Sequence, residues 1–292
     1  MSTDISRRQL FRGALALGGV VAVGGSLVAC STTETGGPGA EGGGGLLERA
    51  KQQGLRIAIG NEPPYTELSP DGTVTGVEPD VVRAVCERMG ISKVEGIVSG
   101  YDAMIPGLKA NRWDTIAAGL FMKESRCREV AYASPVIVST ESFGVRPGNP
   151  KDVLTIADVK ERQDLRVGVV PGGFEQGILE TAGIPAAQIV NVTDARGGAD
   201  ALNADRIDAF LLPTLSLREL DGVEVTDPIP DAPKTGSSAA FRPEDQDFLD
   251  AYNVELEKFK AEPAFAEILE KWGFDPTVVA GVTTEELCAV DG

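Results

Sequence analysis

With 292 residues, 42% of them hydrophobic, the chain is long enough to bury a sizeable core and points to about two domains. A formal net charge of -17 excludes wrapping of nucleic acid, because neutralising phosphates needs clustered Lys and Arg. Histidine is absent, which removes the commonest general base, the Ser-His and Cys-His nucleophile pairs and most zinc sites. No cofactor and no metal site are expected.

The chain opens with MSTDISRRQLFRGALALGGVVAVGGSLVAC, in which Arg7, Arg8 and Arg12 precede or enter an apolar run and small residues precede Cys30. This reads as a signal peptide over residues 1–29. Its apolar part, Gly13 to Ala29, has 17 residues, short of the roughly 20 that a membrane-spanning helix needs. SRRQLF resembles a twin-arginine export signal. LVAC resembles the lipobox of bacterial lipoproteins, which makes Cys30 the lipidated first residue of the mature chain. The Gly-rich run that follows, through residue 45, reads as a flexible tether. Export, with attachment to the outer face of the cytoplasmic membrane through the lipid alone, is the expected location. Cys86, Cys127 and Cys288 remain. Three is odd, so at most one disulfide forms, and the spacing leaves its partners open.

From Leu46 onward, short apolar runs alternate with amphipathic windows, the pattern of α/β units with a largely parallel sheet. The expected strands are LRIAIG, VEGIV, DTIAAG, LRVGVV, QIVNV and DAFLL. A helix is expected from Asp80 to Met89, with Val81, Val82, Val85 and Met89 on one face and a stop at Gly90. A weak repeat is also visible: LRIAIGNEPPY at Leu55 is echoed by LRVGVVPGGF at Leu165, and ANRWDTIAAGL at Ala110 by ADRIDAFLLPT at Ala204. Both copies put a turn and an aromatic, Tyr65 or Phe174, at the carboxyl end of a strand, where open α/β sheets bind ligands. The pattern implies two similar lobes: residues 46–142 with 242–292, and residues 143–241. STESFGVRPGN leaves the first lobe and KTGSSAAFRPED returns to it. Helices from Glu244 to Ala261 and from Ala264 to Trp272 follow. Two crossings make a hinge.

The segments NEPPYTELSPDGTVTGVEPDVVRAV, GYDAMIPGLKANRWDTIAAGLFMKESRCREVAYASPV and ADRIDAF resemble the solute-binding proteins of ABC importers, in the group that takes polar amino acids. Within that group NEPPY, IPGLKANRWD and AAGLFM followed by SRCREV are most similar to the ectoine and hydroxyectoine binders. The resemblance implies a two-lobed periplasmic-binding-protein fold of type II, a small zwitterionic solute as ligand, ABC permease subunits as partners and a monomer. It also implies roles for residues. Arg126 falls on the arginine that clamps the ligand carboxylate, Glu62 on an acid facing the cationic ring nitrogens, and Tyr65, Tyr101 and Phe121 on an aromatic enclosure.

The chemistry suits those side chains. A guanidinium offers a bidentate fork to a carboxylate, and a delocalised amidinium presents flat, weakly hydrated faces to aromatic rings. Pro63-Pro64 is read as fixing the loop so that Glu62 and Tyr65 face the cleft. In the second lobe, PGGFEQG places Gly173 and Phe174 at a helix N-terminus whose free N–H groups suit the carboxylate end of a ligand. After DAFLL, where amino-acid binders commonly carry an Asp for the α-ammonium, this chain has Pro213 and Thr214. The missing acid argues against a free α-amino acid, and Thr214 is taken as a ligand contact in its place. Two other readings stand beside the ectoine receptor. One is a receptor for a polar amino acid. The other is an enzyme of the dehydratase type on the same fold, for which Glu62 is the one obvious acid/base group.

Overall fold

A computed structural model describes residues 45–290. The export segment, Cys30 and nearly all of the tether lie outside the described residues. In chain order the first half comprises α1 (Leu46–Gln53), β1 (Leu55–Ile59), β2 (Glu67–Leu68), β3 (Val74–Thr75), α2 (Val77–Arg88), β4 (Val94–Val98), α3 (Tyr101–Lys109), β5 (Thr115–Ile116), α4 (Glu124–Cys127), β6 (Ala131–Tyr132) and β7 (Ile137–Ser139). The middle comprises β8 (Glu141–Val145), α5 (Ile156–Glu161), β9 (Val167–Val169), α6 (Phe174–Thr181), β10 (Ile189–Asn191), α7 (Ala195–Asn203), β11 (Ala209–Pro213), α8 (Thr214–Arg218) and β12 (Glu224–Val225). The chain ends with β13 (Thr235–Ser237), β14 (Ala240–Phe241), α9 (Gln246–Lys260), α10 (Pro263–Lys271) and α11 (Thr284–Cys288).

Two five-stranded sheets carry the two lobes, in the orders β4-β1-β5-β14-β6 and β10-β9-β11-β8-β12. In each, the three strands nearest the repeated motif run parallel: β1 lies between β4 and β5, and β9 between β10 and β11. The remaining strands are antiparallel. β1 is buried at four of its five positions, as a continuous apolar run covered on both faces requires. All six expected strands form, and the type II two-lobed fold is the one observed.

β7 and β13 pair with each other as an antiparallel ribbon, with Val138 opposite Gly236. This ribbon stands where the chain passes between the two sheets, the place expected for the hinge. It moves both crossings a few residues upstream of the expected 142/143 and 241/242. Glu141 already belongs to the second sheet, and Ala240–Phe241 already belongs to the first. Each strand passes directly from ribbon to sheet, with no linker to mark the change.

Smaller differences have local causes. α2 starts at Val77, three residues before the expected Asp80, because Glu78 and Pro79 fit a first turn, where an acid meets the helix dipole and proline loses no hydrogen bond. β5 stops at Ile116 rather than running to Gly119, since Gly119 takes a φ of +64° that turns the chain into the cleft. The terminal segments are fastened to the first lobe. Asp114, fully buried, accepts from Arg49 at 2.6 Å and from Arg56 at 2.7 Å, which ties α1 to the sheet.

At the other end Cys127 and Cys288 form a disulfide with a Cα–Cα distance of 5.8 Å, which settles the pairing the sequence left open. Glu124 N donates to Val290 O at 3.0 Å beside it. Buried Leu287 packs at Gly236 of the hinge. Among the described residues Cys86 is the free cysteine, and burial pushes its thiol up to about 12. The disulfide joins residues 161 apart in sequence, so it removes much of the unfolded chain's freedom. Cys288→Ser should lower the unfolding free energy by about 2–4 kcal/mol, read from chemical denaturation; an unchanged midpoint would refute the tie.

Candidate functional site

The site is built from loops at the carboxyl ends of β1, β5 and β9, the positions where parallel strands of both lobes end. After β1 the chain turns through Asn61 (φ +50°) and a cis Pro63-Pro64 bond. Two hydrogen bonds close this loop: Thr66 N donates to Glu62 O at 3.0 Å, and Glu62 N donates to Thr66 Oγ1 at 3.2 Å. Glu62 therefore points inward and is only 7% exposed. Its Oε1 accepts from Ser216 Oγ at 2.7 Å and its Oε2 from Tyr101 Oη at 3.3 Å. Ser216 belongs to the second lobe, so this carboxylate bridges the cleft. Burial, and secondarily the charge of Glu175, push Glu62 up to about 7 against the hydrogen bonds of Ser216 and Tyr101.

Three aromatic rings form an edge-to-face row. Tyr65 and Phe121 lie 5.6 Å apart at 78°, and Phe121 and Phe174 lie 5.9 Å apart at 80°. Such contacts fix ring planes as well as positions. Tyr65 and Ser139 share a hydrogen bond of 2.5 Å between their hydroxyls, which links the row to the hinge. Tyr101, the first residue of α3, also donates to Ala118 O at 3.0 Å.

Arg126 sits in the short helix α4, next to the disulfide. Its Nη1 donates to Phe121 O at 2.7 Å within its own lobe, and its Nη2 donates to Gly172 O at 2.7 Å across the cleft. Burial lowers its proton affinity, opposed by the charges around it, with Glu175 among them.

A narrow cavity of about 10 Å3 between the lobes is lined by Glu62, Tyr65, Tyr101, Phe121, Arg126, Gly173 and Phe174, together with Gly119, Glu175 and Pro213. Seven of the eight residues singled out in the sequence thus meet in one place. Thr214 does not join them. Its Oγ1 is turned away, bonded to Ser142 Oγ at 2.8 Å and to Thr140 O at 2.9 Å, and the preceding Pro213 takes its place on the wall. The N–H groups of Gly172 and Gly173, expected to be free for a carboxylate, are satisfied by Gln176 Oε1 and Val170 O, each at 3.0 Å.

Glu175 is the residue that sequence reasoning missed. It lies in the first turn of α6 and is 4% exposed. The second lobe therefore does contribute an acid, from the turn after β9 rather than from the position after β11. Its adjacency to Phe174 in the echoed motif was the available signal. Behind it lies Glu141, 1% exposed, whose carboxyl interacts electrostatically with that of Glu175. Burial and this acidic neighbour raise Glu141 well above the usual carboxylate range.

Comparison with known proteins identifies the family. Residues 55–275 match the model of the bacterial extracellular solute-binding proteins, family 3. The chain belongs to this family. A probable amino-acid ABC transporter periplasmic-binding protein, y4tE of Sinorhizobium fredii, is 30% identical over 83% of the chain and 86% of its own length. Among solved structures, EhuB in complex with hydroxyectoine has a TM-score of 0.81 and 41% identity, covering 84% of this chain and 98% of that one. An ancestral amino-acid-binding protein described as a precursor of cyclohexadienyl dehydratase has a TM-score of 0.70 at 21% identity, covering 77% and 98%; this likeness concerns the fold. The chain is thus a solute-binding protein of the amino-acid ABC importer family, whose members are extracellular or periplasmic.

One close approach across the cleft is made at a glycine. Gly172 has φ +72°, and a Cβ there would stand 2.5 Å from Asp102 N of the opposite lobe. Gly172→Ala should hold the cleft open. Small-angle scattering should then give a larger radius of gyration than wild type under saturating solute, and superimposable profiles would show that the approach is not required.

Proposed function

We propose that this protein is a receptor that captures ectoine or hydroxyectoine between its lobes and hands it to an ABC permease. The observation that carries the reading is the convergence, in one cavity, of Arg126, the ring row Tyr65–Phe121–Phe174 and the carboxyl groups of Glu62 and Glu175. In this reading Arg126 exchanges a carbonyl for the solute carboxylate, a charge-assisted contact of ~1.5–3 kcal/mol. The amidinium lies against the rings, at roughly 0.5–2 kcal/mol each, with Glu62 as counter-charge and Tyr101 orienting Glu62. The likeness to the hydroxyectoine-bound EhuB structure supports the solute class.

A polar amino acid is the second reading, and one observation favours it: Glu175 supplies a second-lobe acid within the same cavity as Arg126, the pair that an α-amino and an α-carboxyl group need. Delocalised charge decides between them. Rings and dispersed carboxyls suit a weakly hydrated amidinium, whereas a compact ammonium loses more hydration on entering. A receptor rather than a dehydratase is favoured by the likeness to curated binding proteins over most of the chain. Attachment through lipidated Cys30, export through the signal segment and a monomeric state complete the proposal.

Titration calorimetry should give ectoine at least tenfold tighter binding than any proteinogenic amino acid, a difference of about 1.4 kcal/mol. Arg126→Ala should cost more affinity than removing any one ring, since it leaves the solute carboxylate enclosed without its partner. Tighter binding of glutamine or arginine, or near-wild-type ectoine binding by Arg126→Ala, would overturn the assignment. For the anchor, Cys30→Ala should move the protein from the membrane fraction to the soluble fraction, and continued membrane association would refute lipidation.

A further inference from the structure

The function proposed above uses Glu62 and Glu175 and leaves Glu141 without a role, although Glu141 is only 1% exposed. It is the first residue of β8, immediately beyond the hinge strand β7, and its backbone is paired with Pro213 of β11. Its Oε1 accepts from Thr235 Oγ1 of the other hinge strand at 3.2 Å. Its Oε2 is buried and meets no donor among the described residues. The carboxyl group of Glu175, itself 4% exposed, acts on it as the nearest acidic neighbour.

Two neighbouring carboxylates out of water cannot both be ionised. A single proton between them gives Glu141 Oε2 its missing partner and removes the repulsion. We propose that Glu141 and Glu175 share one proton, and that a cationic solute group arriving beside Glu175 expels it, so that solute capture is coupled to proton release. This rests on the reading of the cleft as a receptor for a zwitterion.

The groups around the pair allow such a response. Burial raises Glu175 as well, but the backbone at the start of α6, Arg126 on α4 and Lys123 in the loop before it pull against that rise. These favour Glu175 as the ionised member. Glu141 faces Thr235 from β13 and feels Glu62 from the loop after β1, so it holds the proton. Tyr65 and Tyr101 border the same space and feel Glu62 and Glu175. A solute carboxylate drawn to Arg126 takes away part of what offsets Glu175. The amidinium end replaces it more closely and favours ionisation of both members.

Because Glu62 stands at about 7, it also releases protons when a cation binds near neutral pH. Above about pH 8.5 it is already ionised, and only the pair contributes. The sign follows: binding that releases a proton strengthens as pH rises, up to tenfold per pH unit for one proton.

The test is calorimetric titration of ectoine at about pH 8.5 in buffers of different ionisation enthalpy. Wild type should release roughly one proton per ectoine. Glu141→Gln, whose amide donates permanently to Glu175, should release none and show no dependence of affinity on pH there. A structural role alone would change affinity without changing the proton count. Wild-type binding without proton release, or equal release by Glu141→Gln, overturns the proposal. If ectoine does not bind at all, the reading of the solute fails, and infrared spectroscopy still decides on the shared proton. A protonated-carboxyl band at about pH 8.5 should be present in wild type and lost both in Glu141→Gln and in a second variant, Glu175→Gln. Its absence from wild type overturns the sharing.

Discussion

The guanidinium of Arg126, buried between two lobes, is the constraint on which the rest of the site depends. A charge removed from water must be met by oriented acceptors or it costs several kcal/mol, and no single element of this fold supplies them all. Phe121 O comes from the turn after β5, and Gly172 O comes from the turn after β9 in the other lobe. Satisfying the arginine therefore requires the lobes to meet. The disulfide explains why the arginine can wait there. Cys127 is its neighbour in sequence, and Cys288 ties that turn to a C-terminal helix whose Leu287 also packs at the hinge glycine Gly236. The clamp residue and the pivot are braced by the same short element.

The hinge is wired to the cavity through hydroxyl groups. Ser139 of β7 bonds Tyr65, a member of the ring row, and Thr235 of β13 bonds Glu141, behind Glu175. Ser237 of β13 bonds Glu78, a buried carboxylate that also accepts from Gly119 N at 2.9 Å, where the chain turns into the cleft. Each strand of the ribbon thus holds a group that either lines the cavity or positions one that does. Under the proposed function, a change of angle between the lobes would strain these bonds, and a solute that fixed Tyr65 or Glu175 would bias the angle in return. Such differential contact is what a population shift between open and closed lobes requires.

The legible part of this architecture was the part written in local pattern. Six strands stood out as short apolar runs, and the repeat around Leu55 and Leu165 placed Tyr65 and Phe174 at matching strand ends, where the structure joins both to Phe121. Arg126 and Glu62 were named through the resemblance to the ectoine binders, whose chemistry their side chains suit. What escaped was set by three-dimensional closure. Thr214 looked like a wall residue by register, yet its hydroxyl is drawn to the hinge backbone at Thr140. Glu175 looked like an ordinary first-turn acid of a helix, a placement favoured by the dipole alone, and nothing local says that this turn faces an arginine of the other lobe. Glu141 sat inside a segment read as a crossing, so its burial was invisible until the second sheet was assembled.

The charge arrangement also bears on what can be enclosed. One cation, Arg126, lines the cavity with two acids, Glu62 and Glu175, and closure removes the water that would otherwise screen them. A neutral solute would displace the hydrogen bonds that hold Arg126 and Glu62 without replacing the charges they need. A simple anion would satisfy the arginine and leave the acids facing each other, and a simple cation would do the reverse. Only a molecule carrying both charges a few ångströms apart lets each wall group exchange a protein partner for a solute partner. The row of rings then selects on the shape of the positive end, since edge-to-face packing holds flat surfaces at fixed angles and leaves little room for a tetrahedral ammonium with its hydration shell. On the proposed function, selection by the sign and spacing of charge would come from closure and selection by the delocalisation of charge from the aromatics, two requirements that ectoine-like zwitterions meet together.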